Sequence, residues 1–277
     1  MVCAWEALVS ILPRRLKAEV DRLGRETMQE LRLRMDAPAQ MVFQNKSCWL
    51  PGRVTREELK EVINSASRYS PWAATGVSQG YITAPGGHRI GLCGEVICKN
   101  GRVEGIREIT SLCIRVARDF PGIAGRADSL YGSILIIGPP GWGKTTLLRD
   151  LVRRISQKET IGVVDQRGEL FPIGFDRGEC IDVLTGCPKP EGIHMLLRTM
   201  GPRCIAVDEI TEDADVRAIL QAANCGVRLL ATAHASCPED LKRRMVYRQL
   251  VENHIFDSVI TLTKDWSYRM EGAIPCR

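Results

Sequence analysis

The chain has 277 residues, a length that suits about two domains at roughly 150 residues each. Hydrophobic residues make up 44% and charged residues 26%, a balance that excludes a disordered chain and supplies a sizeable core. The net charge of +5 is unevenly placed: residues 1–125 carry 18 basic and 13 acidic side chains and residues 126–277 carry 20 of each, so the surplus of the first half can serve nucleic acid, an acidic partner or the phosphates of a nucleotide.

In chain order, Leu8, Ile11, Leu12, Leu16, Val20 and Leu23 recur at three- and four-residue spacing, which predicts helix. Glu30–Met35 alternates polar and apolar residues, as a half-buried strand does. Thr55–Ser67 reads as an amphipathic helix opened by a capping box of Thr55 and Glu58. Two short strands flank a tight turn at Gly86-Gly87, and a second hairpin turns at Asn100-Gly101. Residues 1–125 therefore form a small α+β domain, and Pro121-Gly122 and Gly125 mark the linker to a domain of residues 126–277. There the pattern becomes strand, glycine loop, helix, strand. Strands are expected at Ser133–Ile137, Thr160–Asp165, Cys204–Asp208, Val227–Thr232 and Ser258–Thr263, with a weaker edge strand at Tyr268–Ala273. The fold class is α/β, a parallel-rich sheet with helices on both faces.

The 11 cysteines include no CxxC pair or zinc-like spacing and read as free thiols of a reducing compartment. The first residues lack the basic and apolar regions of a signal peptide, and no apolar run approaches the ~20 residues of a membrane span.

Gly138-Pro139-Pro140-Gly141-Trp142-Gly143-Lys144-Thr145 satisfies G-x-x-x-x-G-K-S/T between an apolar strand and a helix that begins near Thr146. Its glycines let backbone N–H groups wrap phosphates at a helix N-terminus. Lys144 is expected to reach the β- and γ-phosphates of ATP, and Thr145 to hold Mg²⁺. Cys204–Glu209, an apolar strand ending in two acids, suits a Walker B element in which Asp208 joins the Mg²⁺ shell and Glu209 polarises the attacking water. Asp165-Gln166-Arg167-Gly168-Glu169 places more acids at the carboxyl edge of the sheet, where ligands bind. Glu169 is a second candidate for ordering water or Mg²⁺, and a charged loop pairing Arg167 with Glu169 is an equal alternative. His234 ends another strand at this edge and is a candidate sensor of the γ-phosphate.

Leu196–Pro202, Val207–Ile210, Ala222–Gly226 and Thr232–Ala235 follow one another as in the secretion and pilus-assembly ATPases: an arginine helix, Walker B, an alanine-rich helix and a histidine box. With Glu30–Arg34, Gly80–Thr83, Gly86–Gly94, Ser111–Arg115 and Val164–Glu169, the chain most resembles the stage III sporulation AA family within that superfamily. The resemblance implies a RecA-like ATPase core behind a smaller α+β domain, in a cytoplasmic, hexameric ATPase. It also implies a partner, a sporulation membrane channel between mother cell and forespore. It further implies that arginines of the first domain reach the nucleotide, with Arg89, Arg107 and Arg115 at the matching positions; surface salt bridges are the competing reading for each. Two departures stand out. Walker B is Asp208-Glu209 where secretion members commonly carry Gly-Glu, and Gln166 occupies a position where the sporulation family has an acid, which shifts weight from Glu169 to Glu209.

Two function classes compete. The first is a motor that hydrolyses Mg·ATP to work on a membrane-embedded partner. The second is an ATP-dependent nucleic-acid-binding protein, which the basic first half favours; aromatic residues at 5% and the lack of a basic stretch with interleaved stacking residues weigh against it. Arg14-Arg15, Arg153-Arg154 and Lys242-Arg243-Arg244 read instead as solvated helix faces. A nucleotide switch or a small-molecule kinase is a weaker third reading, since no lid is recognisable after Arg243.

Overall fold

The computed structural model describes residues 2–25, 27–67, 80–99, 101–127, 130–172, 174–265 and 267–272. The chain forms two compact units, Met1–Asp119 with Pro172–Phe175, and Phe120–Phe171 with Asp176–Arg277.

In the first unit the helical periodicity of the N-terminus is divided between α1 (Trp5–Ser10) and α2 (Arg14–Gly24). The break falls at Pro13, whose backbone is extended (φ −60°, ψ 146°), because proline disfavours helical geometry in the residue before it. Leu8, Ile11, Leu12, Leu16 and Val20 enter the core as expected, whereas Leu23 is 38% exposed. Strand β1 (Glu30–Arg34) alternates as read, burying Leu31 and Leu33 completely. Two three-residue strands that the sequence does not signal, β2 (Gln40–Val42) and β3 (Ser47–Trp49), extend the sheet beyond β1. Helix α3 (Arg56–Ala66) carries the expected reciprocal cap: Glu58 N donates to Thr55 Oγ1 at 3.2 Å, and Thr55 N donates to Glu58 Oε2 at 3.0 Å.

A single 3₁₀ turn, Pro85–Gly87, joins β4 (Tyr81–Thr83) to β5 (Arg89–Lys99), which pairs with β6 (Arg102–Arg115). Asn100, half of the expected second turn, lies outside the described residues. The β5–β6 ladder shifts register at Cys93/Gly94, and a Cβ on Gly94 would stand 1.8 Å from the Glu108 carbonyl oxygen, so this irregular crossing demands glycine. The antiparallel sheet has the order β3-β2-β1-β6-β5-β4.

The second unit is built on β7 (Ile134–Ile137), β8 (Ile161–Asp165), β9 (Ile181–Thr185), β10 (Cys204–Val207), β11 (Arg228–Ala233), β12 (Ser258–Leu262) and β13 (Tyr268–Gly272), in the order β13-β12-β7-β11-β10-β8-β9. All neighbours run parallel except the β12–β13 pair. β9 was not expected; it is a half-buried edge strand without a long apolar run. Ala273, the last residue of the expected edge strand, lies outside the described residues. Side chains of β7 alternate between two cores. Leu135 and Ile137 join one with α5 (Lys189–Thr199), α6 (Asp213–Asn224) and α8 (Met245–Glu252), which follows the short α7 (Pro238–Arg243). Ile134 and Ile136 join the other with α4 (Lys144–Ile155). Both faces of the sheet are thereby covered, as its continuous apolar strands require.

Arg153 corrects the reading of Arg153-Arg154 as a solvated face. It is buried, with Nη1 donating to Asp150 Oδ1 at 2.9 Å. The Asp150 carboxylate also accepts from Gly122 N at 2.9 Å and Ala124 N at 2.8 Å, tying the segment after Phe120 to α4.

Candidate nucleotide site

The parallel strands deliver their carboxyl ends to one edge, and the candidate residues collect there. β7 runs into the glycine loop, where Gly141 (φ +78°) and Gly143 (φ +90°) take a backbone conformation that side chains disfavour, and the loop opens α4 at Lys144. Pro139 and Trp142 are half-buried, Pro140 is exposed, and Thr145 and Thr146 sit in the first turn of α4. Lys144 turns back into its own loop. Nζ donates to the Gly138 and Pro139 carbonyls at 2.8 and 3.0 Å and to His234 Nδ1 at 2.9 Å. An ammonium only donates, so Nδ1 of His234 accepts and its proton resides on Nε2, which donates to Glu209 Oε1 at 2.6 Å. The second carboxylate oxygen of Glu209 meets Arg167 Nη1 at 3.1 Å. Lys144, His234, Glu209 and Arg167 thus form one continuous chain across four strand ends, those of β7, β11, β10 and β8.

A second set of contacts runs beside it. Asp208 accepts from Thr145 Oγ1 and from Thr232 Oγ1, both at 2.7 Å. Thr232 Oγ1 accepts in turn from Glu209 N at 2.8 Å. Glu209 itself is left-handed (φ +56°), a conformation that costs an L side chain about 1–2 kcal/mol and persists where surrounding contacts impose it.

Burial governs the electrostatics. Desolvation pushes the Asp208 carboxyl up despite the two hydroxyl donors. The same cause lowers the Lys144 ammonium, against the opposing pull of Asp208 and Glu209. Glu209 is half-buried, and desolvation would raise it. The His234 hydrogen bond and the charges of Arg167, His234 and Lys189 outweigh that and hold it below the usual carboxylate value. Asp165 is raised by desolvation. Its carboxylate accepts from the backbone N–H groups of Glu169, Leu170 and Phe171 at 2.9, 2.9 and 3.0 Å, shaping the loop that carries Arg167 and Glu169.

Glu169, Gln166 and Arg167 line a polar cleft of about 170 Å³ together with Asp208, Glu209, Lys189 and Asp215. Arg167, for which a pairing with Glu169 is one of two equal readings of the sequence, meets Glu209. The structure therefore brings together Lys144, Thr145, Asp208, Glu209 and His234, with Glu169 on the same cleft. Arg89, Arg107 and Arg115 belong to the first unit and have partners there. Arg89 lies over the Tyr81 ring at 4.1 Å, Arg107 pairs with Glu95, and Arg115 Nε is 3.5 Å from Glu30. Sequence reasoning named Thr232 within the histidine box without seeing that its hydroxyl joins Asp208 to Glu209. It missed Lys189 and Asp215 entirely, because no motif or spacing marks them.

The donor set suits Mg²⁺. A threonine hydroxyl and a carboxylate in contact are hard oxygen ligands. Among the described residues no group of three or more His, Cys, Asp and Glu could hold a metal ion, and a cation held by one or two protein groups and substrate phosphates is the usual Mg²⁺ arrangement. The ten described cysteines are free thiols. Among the described residues no helix is long and apolar enough to cross a membrane.

Residues 5–272 match the family described as Sporulation stage III, protein AA. Stage III sporulation protein AA of Bacillus subtilis (strain 168) is 35% identical over 277 residues, 93% of this chain and 90% of that protein. Among solved structures, the pilus retraction motor PilT with bound ADP superimposes with a TM-score of 0.63 at 17% identity, over 89% of this chain and 76% of that one. The Legionella pneumophila ATPase DotB does so with a TM-score of 0.58 at 18% identity, over 88% and 75%. The RecA-like fold expected from the sequence is the fold of these structures. The chain belongs to the sporulation stage III protein AA family.

Proposed function

From that family membership, we propose that the chain is an ATPase that hydrolyses Mg·ATP to power assembly of, or transport through, a membrane channel of sporulation. The observation that carries the reading is the junction of two contact chains at one sheet edge, Lys144–His234–Glu209 and Thr145–Asp208–Thr232. In this reading the loop N–H groups of Gly138–Lys144 and the α4 N-terminus hold the phosphates, and Lys144 leaves its loop carbonyls to meet the β- and γ-phosphates. Thr145 and Asp208 hold Mg²⁺, whose charge, when bound, offsets that of the phosphate oxygens. Glu209 accepts a hydrogen bond from the attacking water. His234, bonded to both Lys144 and Glu209, links occupancy of the loop to the placement of that carboxylate. Glu169 stands by on the same cleft as a second group for ordering water. Arg89, Arg107 and Arg115 supply guanidinium groups to the phosphates in a homo-hexamer. A cytoplasmic location beside the membrane partner completes the proposal.

The test is binding of a fluorescent ATP analogue and phosphate release by the purified chain and by Lys144→Ala. Loss of both in the variant supports the reading, and wild-type behaviour of the variant refutes it. Titration of single-stranded oligonucleotides at two salt concentrations tests the nucleic-acid reading. Tight, salt-sensitive binding would favour that reading over the motor.

A further inference from the structure

Lys189 is out of place by every local rule. It opens α5, where a positive charge opposes the helix dipole, and its side chain is only 9% exposed. A buried ammonium persists only if it is fully paired, and this one is. Nζ meets Asp215 Oδ2 at 2.8 Å, donates to the Glu209 carbonyl at 2.5 Å and lies 3.4 Å from Thr211 Oγ1. Asp215, equally buried near the start of α6, accepts with the same oxygen from Thr211 N at 2.9 Å and Glu212 N at 3.2 Å. The pair therefore spans the starts of two helices and clasps the loop between β10 and α6. The Glu209 residue is pinned at both ends, its N–H by Thr232 Oγ1 and its C=O by Lys189 Nζ. Ile210 N, donating to the Thr232 carbonyl at 2.9 Å, continues the clamp. The Glu209 carbonyl is thus held by the ammonium, and the residue so held is left-handed.

We propose that Lys189, latched by Asp215, is a positioning residue that holds the left-handed backbone of Glu209 and so aims its carboxylate at His234 and the attacking water. The role rests on the ATPase reading for its catalytic consequence. It does not rest on that reading for its structural one, since the latch sets the Glu209 backbone whether or not nucleotide is present. Lys189 touches neither phosphate nor water in this scheme and acts only through Glu209. The double variant Lys189→Met/Asp215→Asn removes both charges at nearly constant volume, and the asparagine oxygen still accepts from Thr211 N and Glu212 N. It should keep the fold that Lys189→Met alone, which strands a buried carboxylate, endangers. Asp215→Asn alone is the second variant, leaving the lysine with a neutral partner.

Amide hydrogen exchange on the nucleotide-free full chain reads the latch directly. We expect exchange in peptides covering 208–212 to rise at least tenfold in the double variant, with peptides from the glycine loop and β7 unchanged. Hydrolysis reads its consequence: kcat should fall at least tenfold while affinity for a fluorescent ATP analogue stays within twofold. A folded double variant with wild-type exchange at 208–212 overturns the proposal, and so does raised exchange with an unaltered kcat. A wild-type chain that neither binds nor hydrolyses ATP overturns the ATPase reading instead, and the exchange measurement still decides the latch.

Discussion

Thr232→Val exposes the arrangement at the sheet edge most directly. Thr232 is fully buried, and valine has nearly its shape, so the perturbation is the loss of one hydroxyl with no cavity. That hydroxyl donates to the Asp208 carboxylate at 2.7 Å and accepts from Glu209 N at 2.8 Å. A hydrogen bond to a charged group is worth about 1.5–3 kcal/mol, and a buried donor left without a partner costs about 1–3 kcal/mol. Asp208 keeps the Thr145 hydroxyl, so the lower half of each range applies, and the sum is about 3 kcal/mol. For a unit of this size each kcal/mol moves the melting temperature by about 2–4 °C, which predicts a drop of about 6–12 °C. The assay is urea and thermal denaturation followed by circular dichroism, with Thr232→Ser, which keeps the hydroxyl, as the control. Thr232→Val within 0.5 kcal/mol of the wild type would refute the argument that one hydroxyl binds the Walker B acids together.

His234→Ala removes the link between Lys144 and Glu209. Losing a charge-assisted bond of about 1.5–3 kcal/mol predicts a roughly 10–100-fold fall in kcat, measured by steady-state phosphate release, with little change in nucleotide affinity. Asp150→Asn should destabilise the second unit by about 3 kcal/mol, read from the urea midpoint, because it weakens the buried partner of Arg153 that also anchors Gly122 and Ala124. In the first unit, His88 is fully buried, its Nε2 bonded to the Ala4 carbonyl at 3.0 Å and its Nδ1 accepting from Ala117 N at 3.1 Å. Burial lowers its pKa, aided by Arg118, and protonating Nδ1 would set two N–H groups against each other. The folded value lies below the unfolded one of about 6.5. This contribution to stability is therefore complete above about pH 6.5 and is lost as pH falls from there toward the folded value. His88→Gln should flatten the urea midpoint of the first unit across that window; an unchanged pH slope would sink the assignment.

Much of this protein is decided locally and can be read from the chain. The P-loop reads from sequence because its glycines, its lysine and the preceding apolar strand are all consecutive, so backbone geometry alone brings them together. The Thr55–Glu58 cap and the alternation of β1 are equally short-range. Walker B and the histidine box also announce themselves, since each is an apolar strand ending in polar residues, and the parallel order of β7, β11, β10 and β8 carries those ends to one edge. Long-range packing decided the rest. β2, β3 and β9 are too short or too half-buried to show a period, and they form because a neighbouring strand offers hydrogen bonds. Arg153 looked like a surface residue until the fold laid the Asp176 backbone against it, whose carbonyl accepts from Arg153 Nε at 3.2 Å. The left-handed backbone of Glu209, its pairing with Arg167, and the Lys189–Asp215 latch join residues from different strands and helices, which no sequence spacing records. Which chemical groups are present is a property of the chain; which of them touch, and in what protonation state, is set by burial and strand order.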